Sequence, residues 1–396
     1  MMDRVLFDYG NSNSFGLEQI RKTQDLCFEF NNTRPSDTER RNELLRMIFG
    51  VLPEGIQVQA PLQVDFGVNV RIGKNFFANY NLVLIDGAKI TFGDDVLVGP
   101  NCGFHCNQHP IVPEQRTQFE YADPITVGDR VWFGAGVTVL SGVTIGSGSI
   151  IGAGSVVTKD IPENVIAAGT PCRVIRKITV EDKMDLERMR SEFRAGLHKG
   201  GLPQRAYFDF VNPPSDVIAQ MQKAADLCFE FNHTKPSDTE KKSKLLSELF
   251  RRDPEGLNII APIHVDIGEN VRIGKNFFSN YNLTIIDGAL VTFGDNVLIG
   301  PDCGFYCNVH LTHPDQRPEF AYADPIVIGD DVWIGAGVTV LSGVTIGSGS
   351  VIGAGSVVTK DIPDNVIAYG SPCRAVRKIT DADTMDLERM RSEIKA

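Results

Sequence analysis

The sequence predicts an all-β core wound as a parallel β-helix and present twice in one chain. Three observations carry that prediction. The first is a six-residue beat from Ile125, reading ITVGDR, VWFGAG, VTVLSG, VTIGSG, SIIGAG, SVVTKD, with aliphatic or aromatic side chains at Val127, Phe133, Val139, Ile145, Ile151 and Val157. The second is a Gly after four of these residues, at Gly128, Gly134, Gly146 and Gly152, where a chain without a Cβ can turn a tight corner. The third is the return of the beat from Ile326, with 31 of 36 positions identical. Six is not a helical period and is too long for strand alternation. It fits a triangular coil in which each hexad forms one side and three hexads complete a turn. A β-sandwich of short Gly-bounded strands does not explain a repeat whose phase never slips.

The repeat extends beyond the beat. An offset of 201 residues carries Val64 onto Val265, Asn79 onto Asn280, Cys102 onto Cys303, Trp132 onto Trp333 and Cys172 onto Cys373 without a gap. Two domains are therefore expected. The first, 1–195, divides into a helical head 1–58, a β-helix 59–178 and a C-terminal helix 179–195. A Gly-rich hinge, 196–201, leads to the second domain, 202–396, with a head 202–259, a β-helix 260–379 and a C-terminal helix 380–396. In the head, Pro35-Ser36-Asp37 starts a helix through TERRNELLRMIF, with acidic residues in its first turn. LCFEFN recurs at 227–232 and MDLERMRSE at 385–393. Each copy is long enough for a core of its own.

Charge and composition restrict the partners. The formal net charge is −11 and no basic tract is long enough to follow a phosphate backbone, so nucleic acid is not expected. Eight cysteines sit in four positions matched between the copies without paired CxxC spacing, which reads as free thiols in a reducing cytoplasm. The opening MMDRVLFDYG has no apolar h-region and no apolar run reaches membrane-spanning length, so a cytoplasmic protein without a membrane partner is expected.

Chemistry is sought where the beat breaks. The largest break, CGFHCNQHPIVPEQRTQFEYADP, lies between Val98 and Val127, and its counterpart CGFYCNVHLTHPDQRPEFAYADP between Ile299 and Ile328. Of seven histidines only His109 and His310 fall in register between the copies, both in this loop, and an imidazole is the natural general base near neutral pH. Cys102, Cys106 and His109 (Cys303, Cys307 and His310) have ligand chemistry suited to zinc. Cys102, however, falls on an inward-stacking position and no fourth ligand is common to both copies, so no metal is expected. Asn79, Asn81 and Asp86 lie near the loop's base, as amide ladders or as holders of a polyhydroxylated ligand. At the far end Lys159, Arg173, Arg176 and Lys177, with Lys360, Arg374, Arg377 and Lys378, form a basic patch on an acidic protein. Such a patch suits a phosphorylated cofactor as well as it suits a solvated face.

Together the head with LCFEFN, NFFANYNL, the loop around His109, VWFGAGVTVLSGVTIGSGSIIGAGSVVTKDIP and AAGTPCRVIRKI resemble the maltose/galactoside O-acetyltransferases of the hexapeptide-repeat acyltransferase family. The resemblance implies a left-handed β-helix, a homotrimer with active sites between neighbouring copies, and acetyl-CoA as donor. It implies His109 and His310 as bases that take the proton of a sugar hydroxyl. Asn79 and Asn280 match an acceptor-binding Asn, and Asp65 and Asp266 another acceptor-side position. Asp86 and Asp287, in the same coil, are further acceptor candidates. The backbone N–H of Ala135 or Ala336 matches the oxyanion donor. The cofactor track falls on Trp132, Ala153, Thr158, Lys159, Arg173 and Arg176, and on Trp333, Ala354, Thr359, Lys360, Arg374 and Arg377.

The chain departs from the pattern at Gly87 and Gly288, where the family has Asp, and at Leu311, where the first copy has Pro110. The head offers only Asp8 and Asp209 for an acidic substrate residue. Because Pro fixes φ and restricts the residue before it, a looser base is expected at His310 than at His109. Two rival readings remain. A metal enzyme resembling the γ-type carbonic anhydrases needs three histidines, and one per copy is in register. A non-catalytic scaffold predicts no binding of CoA. If each copy needs two neighbours, three chains with six copies, roughly 130 kDa from the 43.5 kDa chain, form the smallest closed assembly.

Overall fold

A computed structural model of the chain describes residues 4–8, 14–194, 205–252 and 255–394. The expected hinge, 196–201, lies outside the described residues. The first copy runs through a strand, Val5–Asp8, helices α1 (Ser14–Asn31) and α2 (Thr38–Phe49), coil strands from Gln57–Val58 to Arg173–Lys177, and a short helix α3 (Leu186–Arg194). The second repeats the order with Ala206–Asp209, α4 (Ser215–His233), α5 (Thr239–Phe250), coil strands from Asn258–Ile259 to Cys373–Lys378, and α6 (Leu387–Ile394).

The hexad beat forms what its period implies. Val127 pairs in parallel with Ile145, Phe133 with Ile151 and Val139 with Val157, each eighteen residues on. Three parallel sheets thus enclose one core per copy. Earlier coils advance by twenty residues, as in Val64 with Leu84. The coil holding the long loop advances by thirty-five, Phe92 to Val127. Inside, Phe76, Phe92, Phe104 and Phe133 stack through tilted and edge contacts at 5.0, 4.9 and 5.1 Å between ring centroids. Such edge contacts add about 0.5–1.5 kcal/mol each beyond the area buried. α2 starts where the sequence predicts: Asp37 accepts a hydrogen bond from the N–H of Arg40 at 3.2 Å. Leu44, Leu45, Ile48 and Phe49 then close the first coil.

The heads differ from expectation in one respect: they are not wholly helical. Val5–Asp8 pairs antiparallel with Phe119–Ala122, which pairs in turn with Asn107–Gln108. Ala206–Asp209, Phe320–Ala323 and Asn308–His310 repeat this. The long loop is therefore carried on a small three-stranded sheet of its own, standing off the coil, with the register histidine at its exit.

The two copies pack edge to face. One edge of the first coil, with Tyr80, Asn101, Ala135 and Gly154 at its corners, lies against the sheet of the second copy that contains Ile263–Val265, Leu283–Ile286 and Gly304–Tyr306. Tyr80 and Ala135 bury themselves among Ile286 and Tyr306. The Asn101 amide donates to the Tyr306 hydroxyl at 3.3 Å. A Cβ added to Gly154, at φ +66°, would sit 2.6 Å from Val357 Cγ2, so this corner needs glycine for both conformation and approach. The matching edge of the second copy is open: Tyr281 is 56% exposed where Tyr80 is 8%.

Candidate active site at the seam between the copies

The seam brings together groups from both copies. His310 ends the strand Asn308–His310, and its ring centroid lies 5.5 Å from that of Trp132 of the first copy, edge to face. The ring of Phe210, from the second head, lies tilted against the imidazole at 5.8 Å between centroids. The ring is partly buried with Nδ1 sealed from solvent and unbonded. Burial, then the nearby Arg317 charge, lowers its pKa to about 4. The imidazole is thus neutral at physiological pH, with a lone pair free to accept a proton. His109, its counterpart, is exposed, as is Trp333, the counterpart of Trp132.

Also on the seam, Tyr80 of the first copy stacks on His264 at 4.5 Å and donates to Asp266 Oδ1 at 3.5 Å. Burial and the Asp287 charge push the Asp266 carboxyl up to about 8, so it is protonated near neutrality. Burial also lowers His264 to about 4 and leaves its Nε2 without a partner. A cavity of about 180 Å³ opens here, lined by Arg41, Tyr80, Cys228, His233 and His264 among others. In the first copy Asp65 is only partly buried, and burial raises its pKa as well. Neither Tyr80, His264 nor Phe210 was singled out by sequence. Each matters through a contact with the other copy or with the loop, which no local spacing reports.

Asn79 and Asn280 both turn Oδ1 back onto the next backbone N–H, of Tyr80 and Tyr281, at 2.8 Å. Their Nδ2 groups are left without a bond among the described residues. Such amides can meet a hydroxyl. Asp86 and Asp287 require a correction. Both are fully buried, and their carboxylates accept from the backbone N–H groups of Phe66, and of Ile267 and Gly268, at 2.7–2.8 Å. They hold the turn between two strands and are sealed from solvent, with Asp86 Oδ2 left without a partner. Asp209, buried in the head, accepts from the N–H groups of Val211 and Asn212, while Asp8 is exposed.

Along the first copy's edge, Ala135 and Ala153 stack in successive coils, with Gly154 N–H donating to Ala135 O at 2.8 Å. The N–H of Ala135, like that of Ala336, donates to no protein acceptor among the described residues. Ala135 is buried at the seam, whereas Ala336 and Ala354 are exposed. Thr158, Lys159, Arg173, Thr359, Lys360 and Arg374 stand exposed near the coil ends. Arg176 and Arg377 depart from the free cations expected. Each forms a two-pronged pair with a carboxylate, Asp182 at 2.6 and 2.8 Å and Asp383 at the same distances. A fork already filled by a carboxylate offers little to a phosphate.

The cysteines are buried. Cys102 Sγ donates to Gly134 O, and burial pushes both Cys102 and Cys106 up to about 12, against the thiolate form that a metal ligand needs. Among the described residues no helix is long and apolar enough to cross a membrane.

The loop of the second copy is the better held of the two, contrary to the expectation from Leu311. Leu311 and Phe320 are fully buried against Met189 of α3, whereas Ile111 is 87% and Phe119 43% exposed. Arg317 donates to Leu311 O and Thr312 O, and across the seam to Gly148 O and Arg130 O. Among the described residues Arg116 makes the local pair alone, to Pro110 O and Ile111 O.

Comparison with known proteins gives concordant matches. The bacterial transferase hexapeptide model (six repeats) matches residues 124–159 and 325–360. The maltose acetyltransferase hexapeptide capping motif matches 17–52 and 212–252. A putative acetyltransferase of Saccharomyces cerevisiae is 48% identical over 168 residues, 42% of this chain and 86% of its own length. The galactoside O-acetyltransferase of Escherichia coli is 46% identical over 170 residues, 42% of this chain and 84% of its own. Among solved structures, a galactoside acetyltransferase in complex with coenzyme A is 43% identical, with a TM-score of 0.44, covering 46% of this chain and 90% of that one.

Proposed function

The chain belongs to the hexapeptide-repeat acetyltransferases that carry the maltose acetyltransferase capping motif, holding that unit twice, and from this premise we propose that it transfers the acetyl group of acetyl-CoA to a hydroxyl of a sugar or similar small alcohol. The observation that carries the reading is the meeting of His310 and Trp132 at 5.5 Å across the seam. It sets a neutral imidazole from one copy beside the expected cofactor wall of the other.

His310 takes the proton of the acceptor hydroxyl as its oxygen attacks the thioester carbonyl. The open N–H of Ala135 receives the developing oxyanion. The C–S bond then breaks, the acetyl group stays on the acceptor oxygen, and the imidazolium returns its proton to the CoA thiolate. Asn79 and the protonated Asp266 are the acceptor contacts on this seam, with Lys159 and Arg173 the cations for the cofactor's phosphates. His109, Asp65, Asn280, Trp333, Ala336, Ala354, Lys360 and Arg374 supply the same parts to a seam with another chain.

The exposed edge of the second copy and the exposed face of the first support a homo-oligomer. Three chains carry six copies, which fill two rings of three. If two chains keep their internal seams, the copies of the third lie in different rings. Light scattering near 130 kDa supports this assembly, and a stable 43.5 kDa particle overturns it. The activity is tested by CoA release over a panel of sugars. His109→Ala with His310→Ala lowers turnover by about a hundred- to ten-thousand-fold, as loss of a general base does. Undiminished turnover in that double variant overturns the reading.

A further inference from the structure

We propose that α3, the C-terminal helix of the first copy, is a positioning clamp for the base of the second, with Met189 and Arg190 as its positioning residues. The inference rests on the proposed function above and concerns how one of its two sites is kept in shape. Met189, 4% exposed, seats between Leu311 and Phe320 of the second copy's loop, each at 0%. Arg190 Nη2 donates to Glu319 Oε2 at 2.7 Å. The N–H of Met184 donates to Gln316 Oε1 at 2.9 Å, and Gln316 Nε2 returns a bond to Met184 O at 2.8 Å. The Tyr207 hydroxyl donates to Glu192 Oε2 at 3.0 Å, tying the helix also to the strand Ala206–Asp209. The path from helix to base is short. Asp209 pairs with Phe320, and the next residue, Ala321, pairs with His310.

Gln316 and Phe320 recur in the first copy as Gln115 and Phe119, but three partners of α3 are particular to the second. Leu311 stands where the first copy has Pro110, Glu319 where it has Gln118, and Tyr207 where it has Leu6. On the presenting side, Lys183, which lies 3.6 Å from Asp315, becomes Thr384 in the second copy. Met189 and Arg190 themselves recur unchanged as Met390 and Arg391. The helix is thus nearly the same in both copies, while only the second copy offers it Leu311 and Glu319 in the loop and Tyr207 in the neighbouring strand. In α6 the counterpart of Met189, Met390, is 39% exposed. The pair is therefore ordered: the first copy serves the second. The His310 site is held within one chain, whereas among the described residues no helix covers the His109 loop.

The test uses the full chain carrying His109→Ala, whose remaining turnover with acetyl-CoA and a sugar acceptor reads the His310 site. In that background Met189→Ala lowers kcat about ten- to a hundredfold while KM for acetyl-CoA stays within about twofold, because a displaced base, not a lost binding contact, is the defect. Met189→Leu restores kcat to within about twofold, and Met390→Ala leaves it unchanged. Amide exchange in 311–320 quickens in Met189→Ala while the coil strands Thr339–Leu341 and Val357–Val358 keep their protection, which separates a loosened loop from a failed fold. Unchanged kcat and exchange in Met189→Ala overturn the clamp, as does an equal loss in Met390→Ala. A His109→Ala chain that is inactive while wild type turns over also overturns it, leaving the activity standing. Turnover surviving in the double histidine variant overturns the activity itself.

Discussion

The two long loops, 109–120 and 310–321, occupy the same place in the two copies, share five of twelve residues and are unlike in circumstance. One stands in solvent, with Ile111 87% exposed; the other is covered, with Leu311, Arg317 and Phe320 at 1% or less. The coil beneath does not cause the difference, since the strand registers beneath the two loops agree position for position. What differs is the neighbour: the first copy lays an edge and a helix on the second, and among the described residues nothing does so for the first. A duplicated unit therefore need not give duplicate sites. The environment of a base is set by what covers it, and one chain can hold a sealed and an open version of the same constellation.

The strongest way to break this comparison is at the corner where the copies approach most closely. Gly154 and Gly355 both have positive φ, +66° and +68°, so an alanine at either place carries the same backbone strain. Only at Gly154 does the new Cβ meet a stiff neighbour, Val357 Cγ2 at 2.6 Å; at Gly355 nothing lies within 4 Å. Gly154→Ala is expected to cost about 1–3 kcal/mol more than Gly355→Ala, the usual range for overpacking. Thermal unfolding of the two variants measures it. Equal losses would mean that the seam is not held in solution.

The second comparison sets Asp266 against Asp65. Burial and the Asp287 charge hold the Asp266 carboxyl up to about 8, from an ordinary value near 3.8. Between those values the folded chain keeps a proton that the unfolded chain has released, so this group makes stability fall as pH rises from about 4 to about 8. Asp266→Asn removes that fall and raises the denaturation midpoint at pH 8 relative to pH 5. Asp65→Asn, at the open face, changes the same ratio less. Urea midpoints of the two variants at both pH values decide it, and an equal change in both variants removes the distinction between a covered and an open face.

These differences also mark how far the sequence could be read. The coil was legible because its period is local: Val127, Phe133 and Val139 announce their spacing within a few hexads, and the copies confirm each other. His109 and His310 were legible as the histidines in register within the largest break. Asp86 and Asp287 read differently in the structure because a carboxylate bonded to a turn's N–H groups has the same letter as one facing a ligand; burial decides, and the turn they bond lies about twenty residues earlier, in the preceding coil. Leu311 was misread for a related reason. The loss of Pro110 predicts a freer chain locally, but Met189, which fills the space, lies in the other copy more than a hundred residues away. The strands Val5–Asp8 and Ala206–Asp209 carry no signal in the sequence because four residues pairing with a distant loop leave no period.

The smallest expected effect concerns the charges that order the pair. Arg130, on the first copy's edge, lies 3.0 Å from Asp315 in the second copy's loop. The reverse order would set Asp331, the counterpart of Arg130, against Glu114, the counterpart of Asp315, and so place like charges together. Both partners of the existing pair are about half exposed, so water and salt screen it. A double-mutant cycle of Arg130→Ala and Asp315→Ala, read by urea unfolding, is expected to give a coupling below about 1 kcal/mol at low salt, the range for exposed pairs. It should fade at about 1 M salt, where charges are screened over roughly 3 Å. Lys183, 3.6 Å from Asp315, retains part of the attraction in Arg130→Ala, so the single Asp315→Ala should cost more than Arg130→Ala. The value of so weak a contact lies in discrimination, because an order favoured by one attraction and opposed in reverse by one repulsion is set by the sum of the two. Asp331→Arg removes the repulsion and should leave the internal pair as stable as before while easing the approach of another chain to the second copy's open edge. Sedimentation of that variant against wild type checks it, and an unchanged association constant would show that charge plays no part in ordering the copies.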